Sequence, residues 1–427
     1  MKNLSTKLFI LTGFFLIPLG ILMAYYLQLA EANAYFGYLT FSFKLEYIVN
    51  AMSSLLIIFI VSSKVIVKPS DFFVIFHSLF VLLPYSVLYP MRGFDDTYIY
   101  WISFFVLLTP LLLVRCVGVI ALHYPLRIPK LLGNWMVLGI ALIICLAVVF
   151  FGLFNPTESA GFDMATSYIR RLEGRELYPT GSVFAYLNSW VMNGFIPMLA
   201  FFAGLKFRIL WLFIAFSCWL AFFYLIGVKA PLFILILSAL VGFYYGKNNL
   251  NKALNLLLFA IYCAFLVFLL ETYFFNYSFV ADYIIRRAFT VPPFLVSAYF
   301  EFISNGAESG WSIWNGFASD RPVSFVVGES FLGHEGLNAN TNTFLYQLAS
   351  GGILAYLFIT FVVVSFLGVV DSIYSCRKNP LFIFIGFAFG ILVVEQNATT
   401  VLVSSGMGII FILASINGYG NFLNARK

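Results

Sequence analysis

The chain has 427 residues, of which 62% are hydrophobic and only 10% charged. A soluble domain carries about 25% charged and roughly 45–50% apolar residues, so this chain has too little polar surface to cover itself in water. Soluble enzyme, disordered chain, coiled coil and secreted disulfide scaffold are excluded, which leaves an all-α polytopic membrane protein.

A helix needs about 20 apolar residues to cross the hydrocarbon core. Runs of that order stand at 8–29, 47–64, 72–90, 98–120, 133–154, 183–205, 209–227, 231–246, 253–275, 343–369, 380–395 and 401–418, twelve in all. They are continuous and do not alternate, which argues against a membrane β-barrel. The short runs 231–246 and 380–395 start at Pro231 and Pro380, and proline suits the first turn of a helix. The first run is read as a retained helix, since it is too long for a signal peptide and lacks a small-residue cleavage site.

Twelve crossings put both termini on one side, and the positive-inside rule chooses the cytoplasm. The inner face then takes Lys2, Lys7, Lys64, Lys68, Arg115, Arg127, Lys130, Lys206, Arg208, Lys247, Lys252, Arg377, Lys378, Arg426 and Lys427, with only Asp71 and Asp371 as acids. The net charge of +6 is thus a topology signal, and no nucleic-acid partner is expected. The cysteines (Cys116, Cys145, Cys218, Cys263, Cys376) avoid the outer loops, so no disulfides are expected. No metal-ligand spacing is present, and the adjacent Asp95 and Asp96 lack supporting ligands. Neither a metal nor a cofactor is expected. Residues 1–427 read as a single integral membrane domain.

Two outer loops are long, 155–182 and 276–342. Such loops in a compact bundle are usually functional. The first carries Arg170, Arg171 and Arg175, and the second Arg286 and Arg287. Arginine presents a planar fork of donors matched to phosphate or carboxylate oxygens. Five on one face point to an anionic ligand at the membrane surface, and a lipid-linked pyrophosphate fits. On a helix Arg171 and Arg175, spaced i, i+4, share a face. The competing reading is local neutralisation, with Asp282 pairing with Arg286, and Glu173 and Glu176 balancing the first cluster.

Residues 281–303 are largely apolar and interrupted by Pro292 and Pro293. They read as two short helices in the outer interface. Beyond them Trp311 and Trp314 are candidates for stacking on sugar rings, or for interfacial anchoring. His334, flanked by Gly333 and Glu335 and near Glu329, has the chemistry of a general base. Asn338, Asn340 and Asn342 alternate before the tenth run, as partners for sugar hydroxyls or as helix caps.

With these features in place, the chain resembles the bacterial O-antigen polymerases, the Wzy-type enzymes that join oligosaccharide repeat units. The architecture is similar along nearly the whole chain. Arg170, followed by ten residues and Gly181, resembles the arginine–glycine motif of such polymerase loops. The segment Arg286-Arg287-Ala288-Phe289-Thr290-Val291-Pro292-Pro293, continuing to Tyr299-Phe300-Glu301-Phe302, is similar to the family's arginine, aromatic, proline and Tyr-Phe stretch. Asn338 through Gly351-Gly352 is similar to its asparagine-then-paired-glycine approach to the following span. The resemblance implies transfer of a growing polysaccharide from undecaprenyl pyrophosphate to a new lipid-linked repeat unit at the periplasmic face of the inner membrane. It implies pyrophosphate binding by Arg170, Arg171, Arg286 and Arg287, with Arg175 nearby. Candidates for the base are His334, Glu335, Glu329 and Glu173, in that order. A polysaccharide chain-length regulator is the expected protein partner, beside membrane lipid. The nearest rival is an O-antigen ligase, which transfers to lipid A core and is kept in play by Gly333-His334. A flippase for the same lipid ranks third, because transporters place charge near the midplane and these runs are almost clean.

Overall fold

The computed structural model describes residues 13, 15–93, 96–129, 131, 133–179, 181–306, 310–317, 319–333 and 337–417. In chain order the helices are α1 (Phe15–Ala32), α2 (Leu45–Val61), α3 (Ser70–Arg92), α4 (Thr97–His123), α5 (Asn134–Phe154), α6 (Ser167–Leu177), α7 (183–206), α8 (Ile209–Ile226), α9 (Ala230–Gly246), α10 (Asn251–Phe275) and α11 (281–304). A two-stranded antiparallel ribbon, β1 (Trp311–Ser312) and β2 (Gly316–Phe317), pairs Trp311 with Phe317. Then come α12 (Val323–Ser330), α13 (Thr343–Arg377), α14 (Pro380–Leu392), α15 (Ala398–Val403) and α16 (Met407–Ile416). Each expected run holds a helix. Among the described residues seven, α1, α3, α4, α5, α8, α10 and α13, are long and apolar enough to cross a membrane, while α2, α9, α14 and α16 are shorter. The chain is an all-helical, multi-pass membrane protein.

Polar contacts gather at two poles of the bundle. At one, Lys68 pairs with buried Asp371 at 3.2 Å, Ile66 N donates to Asn251 Oδ1 and Arg377 donates to Ser415 O. At the other, Gln28 donates to Ser278 O, Arg92 holds Glu301, and Thr343 Oγ1 bonds Asn397 Oδ1. Helices start on side-chain caps: Asp96 for α4, Ser182 for α7, Asn342 for α13, Asn379 for α14 and Asn397 for α15. Each satisfies an amide that the helix itself leaves open. The helices α7 and α9 pack backbone to backbone, since a Cβ at Gly204 or Gly242 would lie 2.0 Å from Ala239 O or Phe201 O. Small residues allow that approach where no hydrophobic force drives helices together.

Two interruptions in the long helices are repaired by neighbours. Pro110 lies inside α4, where it has no amide to offer the carbonyl of Val106 and disturbs the turn before it. Tyr356 of α13 donates to Val106 O at 3.0 Å, and His77 Nε2 donates to Leu107 O at 2.9 Å. The buried His77 is thereby a structural donor. In α13 the helix breaks at Gly351 and Gly352, the latter at φ 67° and ψ −161°, which glycine alone adopts readily. The ribbon fills the break. Ile353 N donates to Ile313 O at 2.7 Å and Trp311 Nε1 to Leu348 O at 3.1 Å, which replaces bonds the helix lost.

The outer segment 281–303 differs from expectation. It forms one continuous helix, α11, and not two. Its first part, Ala281–Thr290, winds in wide π turns, and Pro292 and Pro293 fall in the first turn of the α-helical part, Val291–Ser304. There the missing amides break no ladder. The last expected run, 401–418, is instead divided into α15 and α16 around Gly406, at φ 78°.

A Cβ on Gly352 would lie 2.5 Å from Ile313 O, whereas one on Gly139 meets nothing within 4 Å. Gly352→Ala should therefore lower the melting temperature in detergent, at a cost of about 1–3 kcal/mol. Gly139→Ala, in the middle of α5, should leave it unchanged or raise it slightly.

Candidate functional site

The first outer loop is pinned to the end of α8. Thr157 Oγ1 donates to Leu225 O, Gly161 N donates to Tyr224 O at 3.0 Å, and Gly174 of α6 packs on Ile226. Arg170 is completely buried beneath α6. Its guanidinium donates to Thr166 Oγ1 at 3.0 Å and Asp163 O at 2.8 Å, and sits 5.4 Å from the centre of the Phe223 ring. Glu173 accepts from the hydroxyl and amide of Ser159, at 2.6 and 3.0 Å. Those bonds hold its carboxyl below the usual value, the reverse of what a proton acceptor needs. Arg170 and Glu173 thus build the loop. Arg171 and Arg175 stay exposed.

The second pair divides in the same way. Arg286 donates from Nε to Asp282 O and forms an ion pair with Asp282 Oδ1 at 2.9 Å. Arg287 is exposed and lies within electrostatic reach of Arg171. Burial, then Arg175, then Arg287 push the Arg171 guanidinium below the ordinary arginine value. Arg175 and Arg287 both act electrostatically on Arg171, although Arg287 comes from a loop far away in sequence, and among the described residues none of the three is in a salt bridge.

Glu395 lies in the turn between α14 and α15. Its side chain is exposed. Sequence reasoning placed Glu395 at the outer end of a run and gave it no role. The signal was there, as a carboxylate closing an otherwise apolar segment. Arg92 was also missed. It donates to Glu301 at 2.7 and 3.1 Å and to Phe331 O at 2.8 Å, and so fastens α3 to α11 and to the loop beyond α12.

The remaining expected residues scatter. Glu329 pairs with Arg321 at 2.5 Å. Trp311 is spent on the α13 break, while Trp314 is 64% exposed. Asn338 and Asn340 are exposed, and Asn342 is the buried cap of α13. His334 and Glu335 lie outside the described residues. No group of three or more His, Cys, Asp or Glu able to hold a metal occurs among the described residues. Two apolar crevices, of about 40 and 110 Å³, lie beside α3 and α10 and have no ionisable lining. They are away from the arginines. No family model, curated protein or solved structure matches the chain.

The two arginines of the first pair should respond differently to truncation. Arg170→Ala removes a buried, hydrogen-bonded guanidinium and should cost about 1–3 kcal/mol, seen as a lower melting temperature. Arg171→Ala relieves like-charge repulsion and should not lower it.

Proposed function

We propose that this chain is a membrane glycosyltransferase of the O-antigen polymerase type. It joins undecaprenyl-pyrophosphate-linked repeat units at the periplasmic face of a bacterial inner membrane. The observation that carries this reading is the convergence of Arg171, Arg175 and Arg287. Like charges held together repel, and a polyanion between them turns that repulsion into attraction. A lipid pyrophosphate offers such a charge at headgroup depth, with its tail among the helices. Twelve crossings with both termini in the cytoplasm agree with the two poles of polar contacts and with the basic inner loops.

In this reading the donor is the growing chain on undecaprenyl pyrophosphate. A hydroxyl on the terminal sugar of the new repeat attacks the anomeric carbon, and the bond to the pyrophosphate oxygen breaks. Charge grows on the departing pyrophosphate, so fixed guanidiniums act most strongly in the transition state. Arg170 and Arg286 support the loops that present the other three. Trp314, Asn338 and Asn340 are exposed on the second loop and available to sugars. A chain-length regulator is the proposed protein partner.

The test is reconstitution of the purified protein in lipid with an undecaprenyl-pyrophosphate-linked repeat from its host. A ladder of multiples, formed without nucleotide sugar, is the expected result. Arg171→Ala and Arg287→Ala should each slow it by about ten- to a hundredfold, the worth of one charge-assisted contact, and lysine should restore activity only in part. A product formed only when lipid A core is added would mean a ligase.

A further inference from the structure

The two apolar crevices beside α3 and α10 adjoin, because Ile75 of α3 and Leu254 of α10 line both. The smaller follows α3 from Ile75 to Leu83, and the larger follows α9 from Val241 back to Phe233. Each advances by eight positions, about 12 Å of helix at roughly 1.5 Å per residue. Both start near the pole where Ser70, the first residue of α3, donates to Asp371 and α9 hands over to α10. Both run from there into the bundle. Along the larger one Phe233, Leu256 and Ala260 are exposed, so its side opens on the apolar surface that lipid covers.

The fork between the crevices carries two lysines. Ser63 lines the smaller crevice and Ile66 the larger, with Lys64 between them in sequence. Ile66 N donates to Asn251 Oδ1 at 2.8 Å. That bond brings the segment to the start of α10, where Lys252 directly precedes the lining residues Ala253 and Leu254. Lys252 is exposed, while Lys64 is half-buried with its ammonium 4.1 Å from the centre of the Phe59 ring. Among the described residues neither lysine is in a salt bridge. The two acids of this pole are engaged. Asp371 holds Lys68 and Ser70, and Asp71 accepts from Ser63 Oγ and from the amides of Val67 and Lys68. Lys64, Lys68 and Lys252 against Asp71 and Asp371 leave the fork net positive.

We propose that this fork binds a diacyl anionic phospholipid, with one acyl tail along each crevice and the headgroup phosphate at Lys64 and Lys252. Two adjoining apolar channels of equal reach match the two tails of a glycerophospholipid, whereas a polyprenyl carrier has one. Burial of the tails supplies affinity without regard to the headgroup. The lysines supply the preference for negative charge, as basic pockets between membrane helices do. The site lies at the opposite pole from the arginines, in the cytoplasmic leaflet under the topology above. It stands whether or not the chain is a polymerase.

The experiment titrates the purified full-length protein in detergent with phosphatidylglycerol or with phosphatidylcholine of the same tails. Retained lipid is read by native mass spectrometry and stabilisation by melting temperature. Phosphatidylglycerol should bind more tightly and stabilise more, and its advantage should shrink as salt rises. Lys64→Gln and Lys252→Gln should each weaken phosphatidylglycerol binding about fivefold, and about thirtyfold together. They should leave phosphatidylcholine binding and the lipid-free melting temperature near wild type. Ala260→Phe, a larger side chain at an exposed lining position, should weaken both lipids. Equal binding of the two lipids by the wild type would overturn the site. So would phosphatidylglycerol binding that survives the double lysine change, or undecaprenyl phosphate that displaces phosphatidylglycerol at equal concentration.

Discussion

Within an apolar bundle, a backbone amide or carbonyl without a partner costs several kcal/mol. That constraint organises this molecule. The break at Gly351 and Gly352 releases donors and acceptors in a helix that is otherwise sealed, and the ribbon of the second outer loop supplies the replacements through Ile313 O and Trp311 Nε1. The loop is docked by its backbone for this reason. The same constraint acts at Pro110, where Tyr356 and His77 satisfy the carbonyls of Val106 and Leu107 and so key α13 and α3 to α4. From the docked loop the connection runs through Asn342 and Thr343 to Asn397, which sets where Glu395 stands.

The arginine pairs follow from helix geometry. Neighbouring residues on a helix point about 100° apart, so two adjacent arginines do not share one face. In each loop the first of the pair turns inward, Arg170 onto Phe223 and Arg286 onto Asp282. The second is exposed. Arg175, one turn beyond Arg171, joins it. The helices thus divide each pair into an arginine held by local partners and an exposed one.

Much of the fold was legible in the chain. Each apolar run holds a helix, and Pro231 and Pro380 lie in first turns as their missing amides require. Asn342 was readable as a cap. The segment around Pro292 and Pro293 was not read correctly, because proline marks a break only in an α-helical ladder, and the ladder there changes from π to α. The ribbon was invisible, since its strands have two residues each and its partner is a helix break beyond α12.

By itself the sequence determined the apolar medium and the helices, because hydrophobic length is a local quantity. It also marked both loops as arginine-bearing. Only the tertiary structure decided which arginine of each pair is held by local partners and which is exposed. Arg171 and Arg287 lie on elements widely separated along the chain, and the electrostatic action of one on the other depends on how α6 and α11 are pinned to the bundle. Those pins are single hydrogen bonds to backbone groups freed by breaks and helix ends, which have no periodicity to read.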